Sequence, residues 1–433
     1  MNELKIIIAG LGTVGSSVLK TIETNKDNIE SRINKKIKIC GITAKNKEKK
    51  RIISIKDYPW FDNPIDMINK TQPDLFIELM GYEKGISYDS IKISLEKNIN
   101  VITANKALIA HYGNELISIA DHSNLAFLFE GAVAGAIPII NTLKSILVSN
   151  QVIKVSGILN GTTNYILSNM LNKKVTFLDA FNEAKEKGYV ESNPDLDIEG
   201  IDSAHKLSIL SSLAFGCKLT KFDNIHREGI SKIDIKDINY ADKLNLVIKL
   251  IGSVEISNDK LIQYVKPMMV NKNYQLAKVN GVLNGIELKS QEIGNLFLEG
   301  PGAGGFATAS SIISDISEFS LKKNLPSLGI NFSHLKTIEN FKIDDQYGSF
   351  FIRFSVIDKK GVLAEITSLF KVNNISIGTM IQNPNNNKEK DNILPLIIIT
   401  HETYLKNINN FIDQIISLNQ VKDKPFVMQI YKV

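Results

Sequence analysis

The sequence predicts an α/β protein made of three folded parts, and three observations support that division. Up to residue 132, short apolar runs alternate with helical segments, as in a doubly wound parallel sheet. From 133 to 299 helix and strand patterns are mixed without that alternation, so we expect a separate α+β domain. From 349 to 433 the order is strand, helix, strand, strand, helix, strand, which is typical of ferredoxin-like modules. A chain of 433 residues is long enough for roughly two to four domains.

The charge composition argues against a nucleic-acid partner. Lysine and arginine number 51 against 46 aspartates and glutamates, which gives a net charge of +5. Proteins that read duplexes or RNA usually concentrate arginine for bidentate contacts. Here the arginines are only Arg32, Arg51, Arg227 and Arg353, which form no cluster.

Cysteine usage indicates a reducing compartment, and the hydropathy pattern indicates no membrane span. Only Cys40 and Cys217 are present, without a CxxC spacing, which excludes a disulfide scaffold and a zinc ribbon. The first residues run into an apolar strand without the layout of a signal peptide, and no apolar run reaches the ~18 residues of a membrane span. We therefore expect a cytoplasmic protein without a membrane partner.

The first predicted strand and the loop after it indicate a dinucleotide site. The apolar run 4–9 is followed by GLGTVG and then by a helical pattern, which is the context of a Rossmann fingerprint. The glycines permit a tight turn, close approach of a pyrophosphate, and close packing of the helix, whose N-terminus offers free N–H groups. A glycine-rich turn without a ligand is the alternative. The predicted cofactor-binding residues are Gly10, Gly12, Thr13, Val14 and Gly15.

The second predicted strand, 37–43, bears on the choice of cofactor. NAD-specific sites usually carry Asp or Glu at the end of this strand, where it holds the ribose 2′-hydroxyl. Here the strand is followed by Lys45 and by further cations up to Arg51. A cation suits a 2′-phosphate, so we predict NADP with Lys45 as a ligand. NAD is the alternative if these lysines only form a solvated loop.

Further runs complete the predicted organisation. The apolar runs 74–80 and 99–103 are the third and fourth strands of the parallel sheet, and about 300–320 returns to complete that domain. The polar stretch 321–348 is predicted to be a linker. In the last module, the Asn- and Lys-rich segment 383–392 is predicted to be a loop tip without function.

An acidic stretch in the middle domain ends in a lysine. Residues 188–206 read GYVESNPDLDIEGIDSAHK, and the DLDIEG segment imitates the start of an EF-hand loop. The twelfth position of such a loop needs a bidentate glutamate but is Lys206, so calcium is excluded. The pattern of 201–215 predicts a helix that ends at Gly216 and carries Asp202 and Lys206 on one face. Spacing alone leaves two alternatives, a surface ion pair or a catalytic lysine held by a carboxylate.

Five blocks together resemble the homoserine dehydrogenase family, and they lie within 6–315 in the family's order. The C-terminal module is similar to an ACT domain, although Asp358-Lys359-Lys360-Gly361 departs from the Pro-Gly that many ACT domains carry. The resemblance is to the monofunctional form of the family, so we expect no kinase-like segment before the dehydrogenase. The blocks are VITANKAL (101–108), FEGAVAGAIP (129–138), GILNGTTNY (157–165), the acidic stretch, and GPGAG (300–304) followed by TAS (308–310).

The resemblance implies reversible reduction of L-aspartate 4-semialdehyde to L-homoserine by a nicotinamide cofactor, in threonine, methionine and isoleucine biosynthesis. It also implies threonine feedback through the ACT domain and a homodimer or homotetramer formed through the middle domain. Two alternatives stay open: a binding protein that has lost catalysis, and a related enzyme acting on another semialdehyde.

The same resemblance implies roles for individual residues. Lys206 is expected to be the general acid/base, oriented by Asp202, because an ammonium can stabilise the developing negative charge and donate the proton. Lys106 would position substrate or cofactor and polarise the carbonyl, and the opposite division between the two lysines is the alternative. Thr103 and Gly302 are expected near the cofactor.

Substrate and cation ligands are also implied by the resemblance. Glu191 and Asp197 would meet the substrate ammonium, although either could be an ordinary loop acid. Capping alone could explain the polar turn after 157–159. The alternative for Glu130 is to cap a turn or pair with a lysine. The turn residues implied in substrate binding are Asn160, Gly161 and Thr162, and the ligands implied for a monovalent cation, Na⁺, are Glu130 with backbone carbonyls of Val133, Gly135 and Ile137.

Overall fold

The computed structural model describes residues 2–191, 193–321, 326–382 and 393–432. The predicted loop tip 383–392 and part of the predicted linker, 322–325, lie outside the described residues. Within them the chain forms a five-stranded, a six-stranded and a four-stranded sheet, and one two-stranded pair. None of the described helices is long and apolar enough to cross a membrane.

The first sheet is wholly parallel, which confirms the predicted doubly wound architecture. Its strand order is β2-β1-β3-β4-β5. The strands are β1 (Asn2–Ala9), β2 (Lys35–Thr43), β3 (Leu75–Glu78), β4 (Asn100–Thr103) and β5 (Phe127–Leu128), and the helices are α1 (Thr13–Thr24), α2 (Lys26–Ile33), α3 (Pro64–Thr71), α4 (Ile86–Glu96) and α5 (Lys106–His122).

β1 lies inside this sheet because its apolar residues are covered on both faces. Ile6, Ile7 and Ile8 are fully buried, and runs of β-branched residues are typical of such strands. A later helix, α13 (Gly305–Ser320), packs against α1 and joins the same apolar cluster through residues such as Ile312. The chain therefore returns to the first domain after the second has been built.

The second sheet is antiparallel except at one edge, where β7 pairs in parallel with β9. Its order is β11-β10-β6-β8-β9-β7. The strands are β6 (Val152–Ile158), β7 (His226–Arg227), β8 (Leu246–Ser257), β9 (Lys260–Asn271), β10 (Leu283–Ser290) and β11 (Gly294–Pro301), and the helices are α6 (Ile139–Asn141), α7 (Gly161–Lys173), α8 (Phe177–Glu186), α9 (Asp195–Ile198), α10 (Ile201–Phe215), α11 (Ile235–Lys243) and α12 (Gln275–Lys278).

Helix α10 has the bounds that the sequence predicts. It starts after Gly200 and ends at Gly216, and both glycines adopt left-handed backbone conformations, φ 74° and 59°. Its residues from Asp202 to Leu213 are all buried, and the helix packs against α5. The acidic first turn therefore faces the protein interior and not the solvent.

The C-terminal module has the predicted βαββαβ order, and its four-stranded sheet is ordered β14-β15-β13-β17. Its last residues leave the module, and the backbone N–H of Tyr431 donates to the carbonyl of Met269 on β9. The elements are β13 (Phe350–Ile357), α14 (Val362–Val372), β14 (Ile377–Gln382), β15 (Ile393–Thr400), α15 (Leu405–Ile415) and β17 (Phe426–Gln429), with a small pair of β12 (Tyr347–Gly348) and β16 (Thr403–Tyr404) beside them.

Candidate active site

The glycine-rich loop lies at the carboxyl ends of the parallel strands, where open α/β sheets bind ligands. It borders a cavity of about 1170 Å³ whose lining includes Gly10, Gly12 and Lys45. Gly10 has φ +100°, and a Cβ on Gly15 would stand 1.9 Å from the Gly10 carbonyl oxygen, so both positions require glycine. A Cβ on Gly12 would meet nothing within 4 Å. The loop thus leaves open space at the glycine that a pyrophosphate would approach, and its residues fit a dinucleotide.

The loop after β2 surrounds the same cavity with cations. Lys47 and Lys49 line it together with Lys45, and the Lys47 ammonium lies 5.6 Å from the centre of the Trp60 ring. The Arg51 guanidinium donates to the carbonyl of Leu11 at 3.2 Å and to carbonyls within its own loop. Arg51 therefore fastens the basic loop to the glycine-rich loop.

A second cavity, of about 490 Å³, adjoins the glycine-rich loop through Val14. The acidic stretch, the 157–165 turn and the 300–304 loop all contribute to its wall, although they are far apart in the chain. The residues from the sequence prediction that line it are Val14, Lys106, Gly135, Asn160, Gly161, Thr162, Glu191, Asp197, Asp202, Lys206 and Gly302.

Asp202 lies between two ammonium groups in this cavity. One carboxylate oxygen accepts from Lys206 Nζ at 2.7 Å, and the other lies 3.1 Å from Lys106 Nζ. Lys206 also donates to the carbonyl of Leu159 at 2.7 Å, and its side chain is only 8% exposed, against 32% for Lys106. The surface ion pair that the sequence left open is therefore wrong, because this pair is buried.

The protonation states of Asp202 and the two lysines beside it depend on one another. Burial alone would raise the pKa of Asp202, but the Lys206 and Lys106 ammonium groups outweigh it and hold that pKa well below its ordinary value. Asp202 in turn raises the pKa of Lys106. Asp202 is therefore a permanent counter-ion, and Lys106 keeps its proton.

Asn160 connects the helix α7 to these acids. Its side-chain oxygen accepts from the backbone N–H of Thr163 at 2.9 Å and caps the helix. Its amide nitrogen donates to Asp197 at 2.7 Å and to Asp202 at 3.0 Å. Capping and site formation are thus performed by the same side chain.

Asp197 is buried, and within the described part of the chain only one of its two carboxylate oxygens is hydrogen bonded. Its Oδ2 atom has no hydrogen-bond partner among the described residues, and burial raises its pKa to about 6. Glu191 is exposed at the rim of the cavity. The hydroxyl of Thr162 donates to the Tyr189 carbonyl at 2.7 Å, which joins the turn to the acidic stretch.

Thr103 does not reach either cavity. Its hydroxyl donates to buried Glu78 at 2.7 Å, and Glu78 also accepts from Ser87 and from the backbone N–H of Met80. Thr103 therefore anchors the end of β4 in the sheet.

Glu130 is buried and already hydrogen bonded. Its two carboxylate oxygens accept from the backbone N–H groups of Ile140 at 2.9 Å and Asn141 at 2.7 Å, and burial raises its pKa to about 7. The carbonyls of Gly135 and Ile137 accept from Ser311 and Ile139. One carboxylate and several carbonyls suit a hard cation. Because these oxygens already accept hydrogen bonds, they would have to bind such an ion through their remaining lone pairs. Among the described residues, no three His, Cys, Asp or Glu side chains are grouped to hold a metal.

Sequence reasoning missed Asn284 and Tyr189, which also line the second cavity. Asn284 is fully buried, and its amide nitrogen donates to the Leu159 carbonyl, which also accepts a hydrogen bond from Lys206. A Cβ on Gly302 would stand 2.1 Å from the Asn284 side chain, so a glycine at 302 is needed to leave room for Asn284. No local motif marks Asn284, because only the tertiary fold brings β10 to this turn.

Family models match both large domains. A model described as homoserine dehydrogenase matches residues 138–317, and one described as the NAD binding domain of homoserine dehydrogenase matches residues 10–130.

Relatives are similar over the whole chain. A homoserine dehydrogenase of Helicobacter pylori is 36% identical and covers 99% of both chains. The crystal structure of a homoserine dehydrogenase from Thiobacillus denitrificans has a TM-score of 0.92 at 31% identity, covering 100% of this chain and 99% of that chain. A hyperthermophilic archaeal homoserine dehydrogenase mutant in complex with NADPH has a TM-score of 0.64 at 28% identity, covering 75% of this chain and 99% of its own.

Proposed function

The chain belongs to the homoserine dehydrogenase family, and from that premise we propose how its residues divide the reaction. The reaction is the reversible, nicotinamide-dependent reduction of L-aspartate 4-semialdehyde to L-homoserine, a step of amino-acid biosynthesis. The observation that carries the proposal is the buried Lys206–Asp202–Lys106 cluster beside the glycine-rich loop.

Lys206 is the general acid/base. Two of its three N–H groups have partners among the described residues, Asp202 and the Leu159 carbonyl, and the ammonium lines the cavity. The bound cofactor supplies or accepts the hydride. As negative charge develops on the aldehyde oxygen, Lys206 donates its proton there, and in the reverse direction it takes the hydroxyl proton.

Lys106 has the electrostatic role. Because Asp202 raises the pKa of Lys106, this ammonium holds its proton and polarises the carbonyl while it positions the substrate. The carboxylates of Asp197 and Glu191, which both line the cavity, receive the substrate ammonium, and the turn Asn160–Thr162 forms the wall beside it.

Turnover of aspartate semialdehyde tests this division. Lys206→Ala is expected to lower kcat by about 100-fold or more, the scale for loss of an acid/base group. Lys106→Met is the matched variant, and we expect it to raise KM and to lower kcat less. If the larger loss of kcat followed the Lys106 substitution, the two roles would be reversed.

NADP is the proposed cofactor. The cations Lys45, Lys47 and Lys49 around the nucleotide cavity support it, as does the NADPH bound by the archaeal relative. The ratio of kcat/KM for NADPH and NADH measures this preference, and a ratio below one would contradict it.

Two finer proposals follow from the family. A Na⁺ ion would be held by Glu130 with carbonyls of Val133, Gly135 and Ile137, supported by the oxygen-only donor set around one buried acid; turnover in sodium-free buffer tests it. The C-terminal module, by its βαββαβ order, would be an ACT domain that mediates threonine feedback in a homodimer or homotetramer. Inhibition of the full chain by threonine and its mass in solution test these points.

A further inference from the structure

Lys249, in β8, is a buried cation whose hydrogen-bond partners are all uncharged. The residue is 3% exposed. Its ammonium donates to Asn164 Oδ1 at 3.0 Å, to Asn280 Oδ1 at 3.3 Å and to the Val279 carbonyl. An ammonium has three N–H groups, so these acceptors engage all of them.

The partners of Lys249 belong to two different walls of the substrate cavity. Asn164 lies in the first turn of α7, two residues after Thr162, and the residues Asn160–Thr162 line the cavity. Val279 and Asn280 start the segment 279–283, which leads into β10, and Val282 of this segment also lines the cavity.

Asn164 strengthens the same connection. Its amide nitrogen donates to the carbonyls of Val279 and Leu283, each at 3.2 Å. Lys249 and Asn164 thus converge on Val279 from two elements. This gives the first turn of α7 fixed hydrogen bonds to both ends of the segment 279–283.

The two walls approach as closely as backbone allows. A Cβ on Gly161 would stand 2.5 Å from the Val282 carbonyl oxygen. The spacing between Gly161 and Val282 is therefore sensitive to small shifts of either element, and such shifts would move Asn160, which holds both Asp197 and Asp202.

We propose that Lys249 is a positioning residue whose ammonium ties the start of α7 to the segment 279–283 and thereby sets the shape of the substrate cavity. The inference rests on the proposed function, because that function assigns this cavity to the substrate. A single ammonium supplies three donors at one point, which an apolar side chain of equal length cannot replace. Without it, Asn164 Oδ1 would be left unpaired in the interior, the Val279 carbonyl would keep only its bond from Asn164, and the two walls would separate.

The chain offers a matched control in Lys266, on the neighbouring strand β9. Lys266 is also buried, at 4% exposure, and its ammonium also donates to neutral groups, Gln346 and Gln429, both at 2.7 Å. Burial lowers the pKa of both lysines to about 8. Lys266, however, faces the C-terminal module and touches no residue of the substrate cavity among these partners.

The test compares Lys249→Met with Lys266→Met in the full chain. We expect both substitutions to alter thermal stability. Only Lys249→Met should lower kcat/KM for homoserine, by about tenfold or more, while KM for NADP⁺ in the same oxidation assay stays within about twofold. Equal effects of both substitutions on kcat/KM, or wild-type kcat/KM in Lys249→Met, would overturn the proposal.

Asn164→Leu gives a second route if Lys249→Met does not fold. It removes the same connection from the helix side, so it should likewise lower kcat/KM for homoserine and leave KM for NADP⁺ within about twofold. In the double variant the losses should not add, because both side chains serve one contact; additive losses would contradict the proposal. Failure of the proposed function is distinguishable, since it would appear as absent turnover in the unsubstituted chain.

Discussion

At the scale of single residues, Asp202 explains how two lysines can share one small cavity. Two ammonium groups repel each other, and both approach the same carboxylate within hydrogen-bond or ion-pair distance. Because its pKa is held well below the ordinary value, Asp202 stays ionised at neutral pH. The cluster then carries one net positive charge, which suits an aldehyde oxygen that gains negative charge during reduction.

Asp197 should give the enzyme an acid limb in its pH profile. Its pKa is raised to about 6 by burial, and the neutral acid cannot pair with the substrate ammonium. We expect kcat/KM for homoserine to fall about tenfold per pH unit well below pH 6, because kcat/KM reports the free enzyme. Steady-state rates between about pH 5 and 8 measure this.

Asp197→Asn is the control for that assignment. This variant should have a lower kcat/KM at pH 8 and no limb near pH 6. The contribution of Asp197 to folding stability changes with pH in the opposite direction to activity. Because its pKa is raised in the folded state, this contribution is fully present below the unfolded pKa near 3.8 and is lost as pH rises through about 6. An unchanged limb in Asp197→Asn would assign it to another group.

At the scale of elements, the strand–loop–helix unit around Gly10–Gly15 separates folding from cofactor binding. Gly15→Ala places a methyl group against the Gly10 carbonyl, so we expect it to lower the unfolding free energy by about 1–3 kcal/mol. Gly12→Ala meets only open space at an ordinary φ of −75°. It should leave Tm unchanged and raise KM for the cofactor about tenfold, since the methyl group would occupy the pyrophosphate position.

Thermal melts and cofactor titrations of these two variants distinguish the two roles. A stable Gly15→Ala would mean that α1 can move away from the loop. A Gly12→Ala variant with unchanged cofactor KM would mean that the pyrophosphate does not approach this glycine.

Elements with strong local signals could be predicted from the sequence. Helix α10 has its apolar pattern, its terminal Gly216 and the i,i+4 pair of Asp202 and Lys206 within one short stretch, and all three are observed. The alternating pattern likewise predicts the order of elements in the C-terminal module. Two-residue β5 carries too few residues for any periodicity.

Contacts between distant segments could not be predicted from patterns. Nothing near Lys106 in the sequence indicates that it meets Asp202, because the pairing depends on how α5 packs against α10. Likewise Lys249 interrupts the apolar run at the start of β8, and its three acceptors come from two other segments. Such positions become visible only when the domains are folded together.

At the scale of the whole molecule, the C-terminal module is fastened to the middle domain at several points. Tyr431 is buried in an apolar cluster with Val247 and Met268 of the second sheet. Arg353 on β13 reaches Asp237 on α11 through two hydrogen bonds, at 2.6 and 3.2 Å. Deleting 349–433 would therefore uncover part of the middle domain, so threonine feedback has to be tested in the full chain.

Arg353→Met should measure how much this attachment stabilises the molecule. The Asp237 side chain is fully buried and that of Arg353 is 19% exposed, so the substitution leaves a buried carboxylate without its cation, at a cost of about 3–5 kcal/mol. Burial already raises the pKa of Asp237, and without Arg353 the carboxyl would be protonated more readily. A carboxyl with a raised folded pKa destabilises as pH rises, so the loss in denaturant unfolding should become smaller as the pH is lowered from neutral. Adding Asp237→Asn should restore part of the stability and remove that pH dependence, while turnover at neutral pH stays near wild type in both variants. A loss below about 1 kcal/mol, the range of surface pairs, would show that the module is held by its other contacts and not by this ion pair.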